Sequence, residues 1–291
     1  MRPLRWVALL ALAAATQAEA HAGDAHDAPG WTWDPWITGP IALSVLLFGL
    51  GERRLLARSR VGGAGWDRRT WLFSGGMLVL SAALVSPLHE AGERSFAAHM
   101  FEHELLMLLA APLLVLARPL PVMLWAFPGG GRRAIGAAVA WSAPLWRTLT
   151  APVFATALQA AALWAWHAPA LFDRALASEG WHAAQHLSFL VSALMFWTAM
   201  LGRRVAPVVA AMCLVATSIV SGALGALMAF ATSPWYAGYA RLGMAPFGLT
   251  PAEDQQLAGL LMWVPGGLVH AGVALLIVRP LLRRPGVAHV G

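Results

Sequence analysis

Long uncharged stretches alternate with short arginine-bearing ones along most of the chain. Seven stretches are apolar enough to cross a bilayer: 36–51, 71–88, 96–117, 149–166, 181–201, 205–231 and 256–278. A helix needs about 20 apolar residues to span the hydrocarbon. Only helices and closed barrels can satisfy every backbone polar group there. The expected fold class is therefore all-α, a polytopic transmembrane bundle of about seven helices. The stretch 132–146 is apolar but short and interrupted by Pro144, and reads as an interfacial or loop segment. Ahead of the first span, Arg2 and Arg5, an apolar run at 6–15 and Ala18-Glu19-Ala20 have the form of a signal peptide. The expected organisation is a signal peptide at 1–20, a short periplasmic tail at 21–35, a seven-helix membrane domain at 36–280 and a cytoplasmic tail at 281–291.

The arginines test this alternation. With the mature N-terminus outside, fifteen arginines fall at the inner ends of the spans, from Arg53 to Arg284. Only Arg94, Arg174 and Arg241 fall outside, where Asp34, Glu90, Glu93, Asp173, Glu179, Glu253 and Asp254 collect instead. That asymmetry follows the positive-inside rule and predicts a bacterial inner-membrane protein with a periplasmic N-terminus and a cytoplasmic C-terminus. Tryptophans at 31, 33, 36, 71, 166, 181 and 235 mark the expected interfaces.

Composition changes the picture in two ways. The chain is 59% hydrophobic and 12% charged, with no lysine, so its basic excess is arginine sorted by topology. The lipid bilayer is the implied partner, and no nucleic acid is expected. Cys213 is the only cysteine, so a disulfide within the chain and a thiolate metal cluster are both excluded. A metal site must use His, Met, carboxylate or amide groups.

Histidines supply such a site. The third span opens on His99-x-x-x-His103 and the fifth on His182-x-x-x-His186. Positions i and i+4 share one helix face, with Cβ atoms about 5–6 Å apart, so each pair can chelate one ion. Both spans run from outside to inside, which puts the two pairs at one depth near the outer surface. His167 closes the fourth span there, His89 follows the second, and Asp254 and Gln255 open the seventh. Of ten histidines, only His270 and His289 fall off the outer half. Polar side chains are costly in a bilayer, and such a grouping points to a metal or cofactor. His270 alone reads as a polar packing residue, and the methionines, Met262 among them, as apolar filler.

Two other chemistries fit parts of the pattern. His99-x-x-Glu102-His103 matches H-x-x-E-H, in which two histidines hold zinc and the glutamate is the base of a metalloprotease. A b-type haem protein needs a histidine from each of two helices. One haem is possible; two stacked porphyrins are not, because an i,i+4 step rises only about 6 Å.

Taken together, the motifs resemble a known family. They are His99-x-x-x-His103 followed by Ala110-Ala111-Pro112-Leu113, then Trp166-His167-x-Pro169 and His182-x-x-x-His186-x-x-Phe189-Leu190. Asp254-Gln255-x-x-x-Gly259-x-x-Met262-Trp263 completes the set. In order and spacing they are similar to the CtaG-type membrane proteins, assembly factors of caa(3)-type cytochrome c oxidases. The resemblance implies a non-enzymatic assembly factor that binds copper and helps to deliver it to the oxidase copper centre. It makes cytochrome c oxidase subunits the partners, with a periplasmic copper donor upstream. It implies His99, His103, His182, His186 and His167 as ligands, backed by Glu102, Asp254, Gln255 and Met262, with Asp254 accepting an imidazole N–H. Copper is the expected ion, with zinc and haem as alternatives.

Overall fold

A computed structural model describes residues 30–58 and 64–282. The expected signal peptide, most of the outer tail and residues 283–291 lie outside the described residues, as do His21, His26 and His289. The described part is helical, with one isolated bridge between Ala245 and Leu249 and no strand. The helices are α1 (Pro35–Leu56), α2 (Ala64–Leu84), α3 (Pro87–Arg94), α4 (Phe96–Ala117), α5 (Pro119–Met123) and α6 (Gly129–Leu149). They continue as α7 (Pro152–Trp166), α8 (Pro169–Leu176), α9 (Glu179–Leu201), α10 (Pro207–Ala229), α11 (Ala237–Leu242) and α12 (Pro251–Leu282).

Five of these, α1, α4, α9, α10 and α12, are long and apolar enough to cross a membrane, and up to seven spans result if each bent pair counts as one. The bent pairs are α2 with α3, at 40°, and α6 with α7, at 75°. The chain is a polytopic helical membrane protein. The second expected span ends early: Ser86 caps a new helix by accepting from the Leu88 amide, with Pro87 in its first turn. The stretch around 132–146 is not a loop, because Pro144 costs one backbone bond without ending α6. The helix stops only at Thr150-Ala151-Pro152 and buries none of its residues. The last helix also runs past the expected boundary at 280, to Leu282.

The core is formed by α4, α7, α9, α10 and α12, with α1, α2 and α5 packed on one flank through Phe48, Phe73 and Val122. Helices α10 and α12 are in close and extensive contact. A Cβ on Gly225 would lie 2.7 Å from the Gly259 carbonyl oxygen, and one on Gly259 would collide with the Gly225 carbonyl oxygen. Small residues let helix backbones approach in this way in membranes. Within α4 a π-turn covers Leu105–Ala110, just ahead of Pro112. Proline lacks the amide for the preceding turn and clashes with its carbonyl, and a widened turn relieves both.

Candidate metal centre

Four helices bring their first turns to one place. Ser95 caps α4 by accepting from the Ala98 amide. Asp254, from the first turn of α12, then accepts from Ser95 Oγ (2.8 Å), Phe96 N (2.6 Å) and Ala97 N (3.3 Å). A carboxylate is well suited to the unsatisfied amides and positive dipole end of a helix. The expected bond from Asp254 to an imidazole is therefore replaced by a cap: this residue fixes the helix that carries His99 and His103. The reason is geometric, since α12 and α4 start side by side and the nearest donors are the free amides of α4.

The two H-x-x-x-H pairs face each other ring against ring. His99 stacks on His182 with centroids 5.1 Å apart, and His103 meets His186 edge-on at 5.0 Å. Within each pair the rings are 4.4 Å apart. The helices α4 and α9 thus run in the same direction with their pairs level. One ligand atom each from His99, His103 and His186 lie within 4.8 Å of one another, and the same holds for His89, Glu102 and His186. His99, Glu102, His103 and His186 are buried.

His89 is absent from the expected ligand set. The bend into α3 brings its Nδ1 to 2.8 Å from Glu102 Oε1 and its ring to 5.4 Å from that of His182. Its signal is present in the sequence, because Ser86-Pro87 is a helix start that places His89 on a new helix. Glu102 itself moves from the expected background into the cluster, with Oε1 also 3.6 Å from His186 Nδ1.

Tyr239 on α11 is a further addition, and no motif announces it. Its hydroxyl donates to the Gly92 carbonyl (2.5 Å) and lies 3.1 Å from His99 Nδ1. A phenol has one proton, so with that proton on Gly92 the second contact must be donated by His99 Nδ1–H. This tautomer leaves His99 Nε2 as a free lone pair, the form in which metal-bound histidines are held by an outer partner.

His167 does not join the cluster. Its Nδ1 donates to the Leu163 carbonyl (2.7 Å), its Nε2 faces the Met100 sulfur at 3.2 Å, and its ring lies 6.5 Å from that of His103. Gln255 is also elsewhere, with its amide tying the loop after α10 through Trp235 N and Ser233 O. Met262 sits deeper, lining a cavity with Glu104 and His270.

The donor set fits a metal. His99 Nε2, both nitrogens of His103, His182 Nε2 and His186 Nε2 are shielded from solvent without a hydrogen-bond partner. Buried polar groups are otherwise almost always paired, and unpaired imidazole nitrogens on four neighbouring histidines are a strong exception.

Residues 46–284 match the family model described as cytochrome c oxidase caa3 assembly factor (Caa3_CtaG). The chain belongs to this family. No curated protein and no solved structure matches it. Caa3_CtaG membership accounts for most of the chain, including every helix that contributes to the histidine cluster. It makes the protein a cytochrome c oxidase assembly factor, which implies an oxidase-related partner.

Proposed function

We propose that this assembly factor binds copper in the cluster of His99, His103, His182, His186, His89 and Glu102, and passes it to the copper centre of a caa3-type oxidase. The observation that carries this reading is that His99, His103 and His186 bring ligand atoms within 4.8 Å of one another, and each has a buried imidazole nitrogen without a partner. Imidazole suits copper, and the Tyr239 contact holds His99 with its other ring nitrogen turned free to bind it. The surrounding shell fits a carrier: Tyr239 orients His99, Asp254 anchors the helix beneath both α4 histidines, and Glu102 offers a carboxylate to the incoming charge.

The outer end of the bundle is the periplasmic one in this reading, so a periplasmic donor supplies the ion and an oxidase subunit in the same membrane receives it. The arginine asymmetry of the sequence supports that orientation. So does Arg54, which donates to the carbonyls of Trp125 and Ala126 beyond the opposite end of α4 from His99.

The zinc-protease reading needs Glu102 free to activate water at an open metal position. Glu102 is fully buried and bonded to His89, and a second histidine pair occupies the space where that water would sit. For a haem, rings packed 5.0–5.8 Å apart between α3, α4 and α9 leave no slot for a macrocycle.

Purified protein titrated with Cu(I) against a chromophoric chelator tests the proposal. The double variant His99→Ala/His186→Ala is expected to lose one equivalent of copper, and cells carrying it to make oxidase depleted in copper. Unchanged copper in both the carrier and the oxidase would refute the carrier role, and zinc in its place would favour the protease.

A further inference from the structure

A second polar site lies one turn further along α4. Glu104, Met107, Gln159, Met262 and His270 line a cavity of about 30 Å³ between α4, α7, α10 and α12. That is room for a single ion or one to two waters. His270 is only 2% exposed, lies against the Gly266 backbone of its own helix, and has a ring nitrogen without a hydrogen-bond partner. Gln159 Oε1 and Glu104 Oε2 are likewise shielded and unpaired. Unsatisfied groups of this kind are costly in hydrocarbon, so an imidazole, an amide oxygen and a carboxylate oxygen around one small cavity call for an occupant. Thr217 and Ser221 also face it, but donate their hydroxyl protons to α10's own carbonyls and keep their lone pairs free.

The surroundings hold these groups in place. The His270 ring stacks on Trp197 at 5.8 Å, nearly parallel. The Trp197 indole donates to the Met107 carbonyl (2.7 Å), which belongs to the π-turn beginning right after Glu104. Such π-turns are frequent at functional sites. Opposite Glu104 is Gly266 of α12, where even a Cβ would be in van der Waals contact with the carboxylate.

We propose that this cavity is a second, intramembrane Cu(I) site, with His270, Met262 and Met107 as ligands and the Glu104 carboxylate balancing the charge. Imidazole with two thioethers is a soft donor set that selects Cu(I) over harder ions. One monovalent ion beside one carboxylate also brings no net charge into the bilayer, which a divalent ion would. The site goes beyond the carrier reading of the histidine cluster and stands or falls separately from it.

Cu(I) titration of the purified full chain in nanodiscs, against the same chelator, tests it. Wild type is expected to bind two equivalents. His270→Phe, which keeps the stack on Trp197, and Met262→Leu, which keeps the volume, are each expected to bind one. The outer variant His99→Ala/His186→Ala is also expected to bind one, and X-ray absorption of that copper should show bound thioether sulfur. If wild type binds two and neither inner variant loses one, the inner site is refuted while the outer reading stands. If wild type binds one and the inner variants abolish it, the outer reading fails and the inner site stands. Copper in the outer variant bound by nitrogen and oxygen alone would also refute the inner site, whatever the folding of the inner variants.

Discussion

The outer histidine cluster and the inner cavity share one helix and little else. The cluster draws on the first turns of α3, α4 and α9, and its donors are nitrogens with one carboxylate. The cavity takes one or two groups from each of four helices, at mid-length, and mixes thioether, imidazole, amide and carboxylate. What divides them is the register of α4. Glu102 and His103 face the cluster, whereas Glu104 and Met107 face the cavity. One residue's step on the regular helix, roughly 100°, already turns Glu104 away from His103, and the π-turn that begins at Leu105 sets the register of Met107. A single helix can thereby serve two sites of different softness, the harder one at its outer end and the softer one inside.

The largest expected effect comes from breaking the frame of the outer site alone. Asp254→Ala leaves Ser95 Oγ and the amides of Phe96 and Ala97 buried without their acceptor. Losing charged bonds to buried donors should cost about 3 kcal/mol. A lower midpoint of thermal unfolding is expected, together with loosened copper at the outer cluster and an unchanged inner equivalent. Unchanged stability would show that the cap is dispensable.

A smaller effect separates ligand orientation from stability. Tyr239→Phe removes the hydroxyl that bonds Gly92 and fixes the His99 tautomer. Loss of such an outer partner typically weakens metal affinity about 10-fold or more. Chelator competition should show that drop at the outer cluster only. If affinity there holds, His99 is not a ligand or does not need this orientation.

The contrast between the sites also explains what could be read from the sequence. Two pairs at i,i+4 spacing, on spans of known direction, make a local pattern, and the cluster of His99, His103, His182 and His186 was legible from it. The seven apolar stretches were legible for the same reason, although the breaks at Ser86 and at Thr150–Ala151 were placed differently. Asp254 is legible as part of the site but its partner is not, because which backbone end lies beside α12 is decided by packing. His270 and Met262 read as packing residue and filler because, eight residues apart on α12, they form no local chelating pair. Their company is assembled from four helices, and no single stretch of chain contains it. Tyr239 is hidden likewise, in a short helix of a loop that meets α3 only in three dimensions.

The smallest expected effect bears on whether the two sites are separable at all. Trp197→Phe keeps an aromatic ring against His270 but removes the N–H that holds the Met107 carbonyl. That carbonyl is freed from the regular helix ladder by the π-turn, and no other partner is at hand in a bilayer. The cost should be about 1 kcal/mol of stability, the usual net value of one such bond. Because Met107 lines the cavity, inner Cu(I) affinity should fall about fivefold, the same energy expressed as binding. The outer cluster should not respond, since it is built on the regular turns of α4 ahead of the π-turn. A two-site chelator titration reads both affinities at once. If the outer one falls as far as the inner, the π-turn couples the sites, and α4 is better understood as a relay between two positions of one ion than as the shared wall of two independent sites.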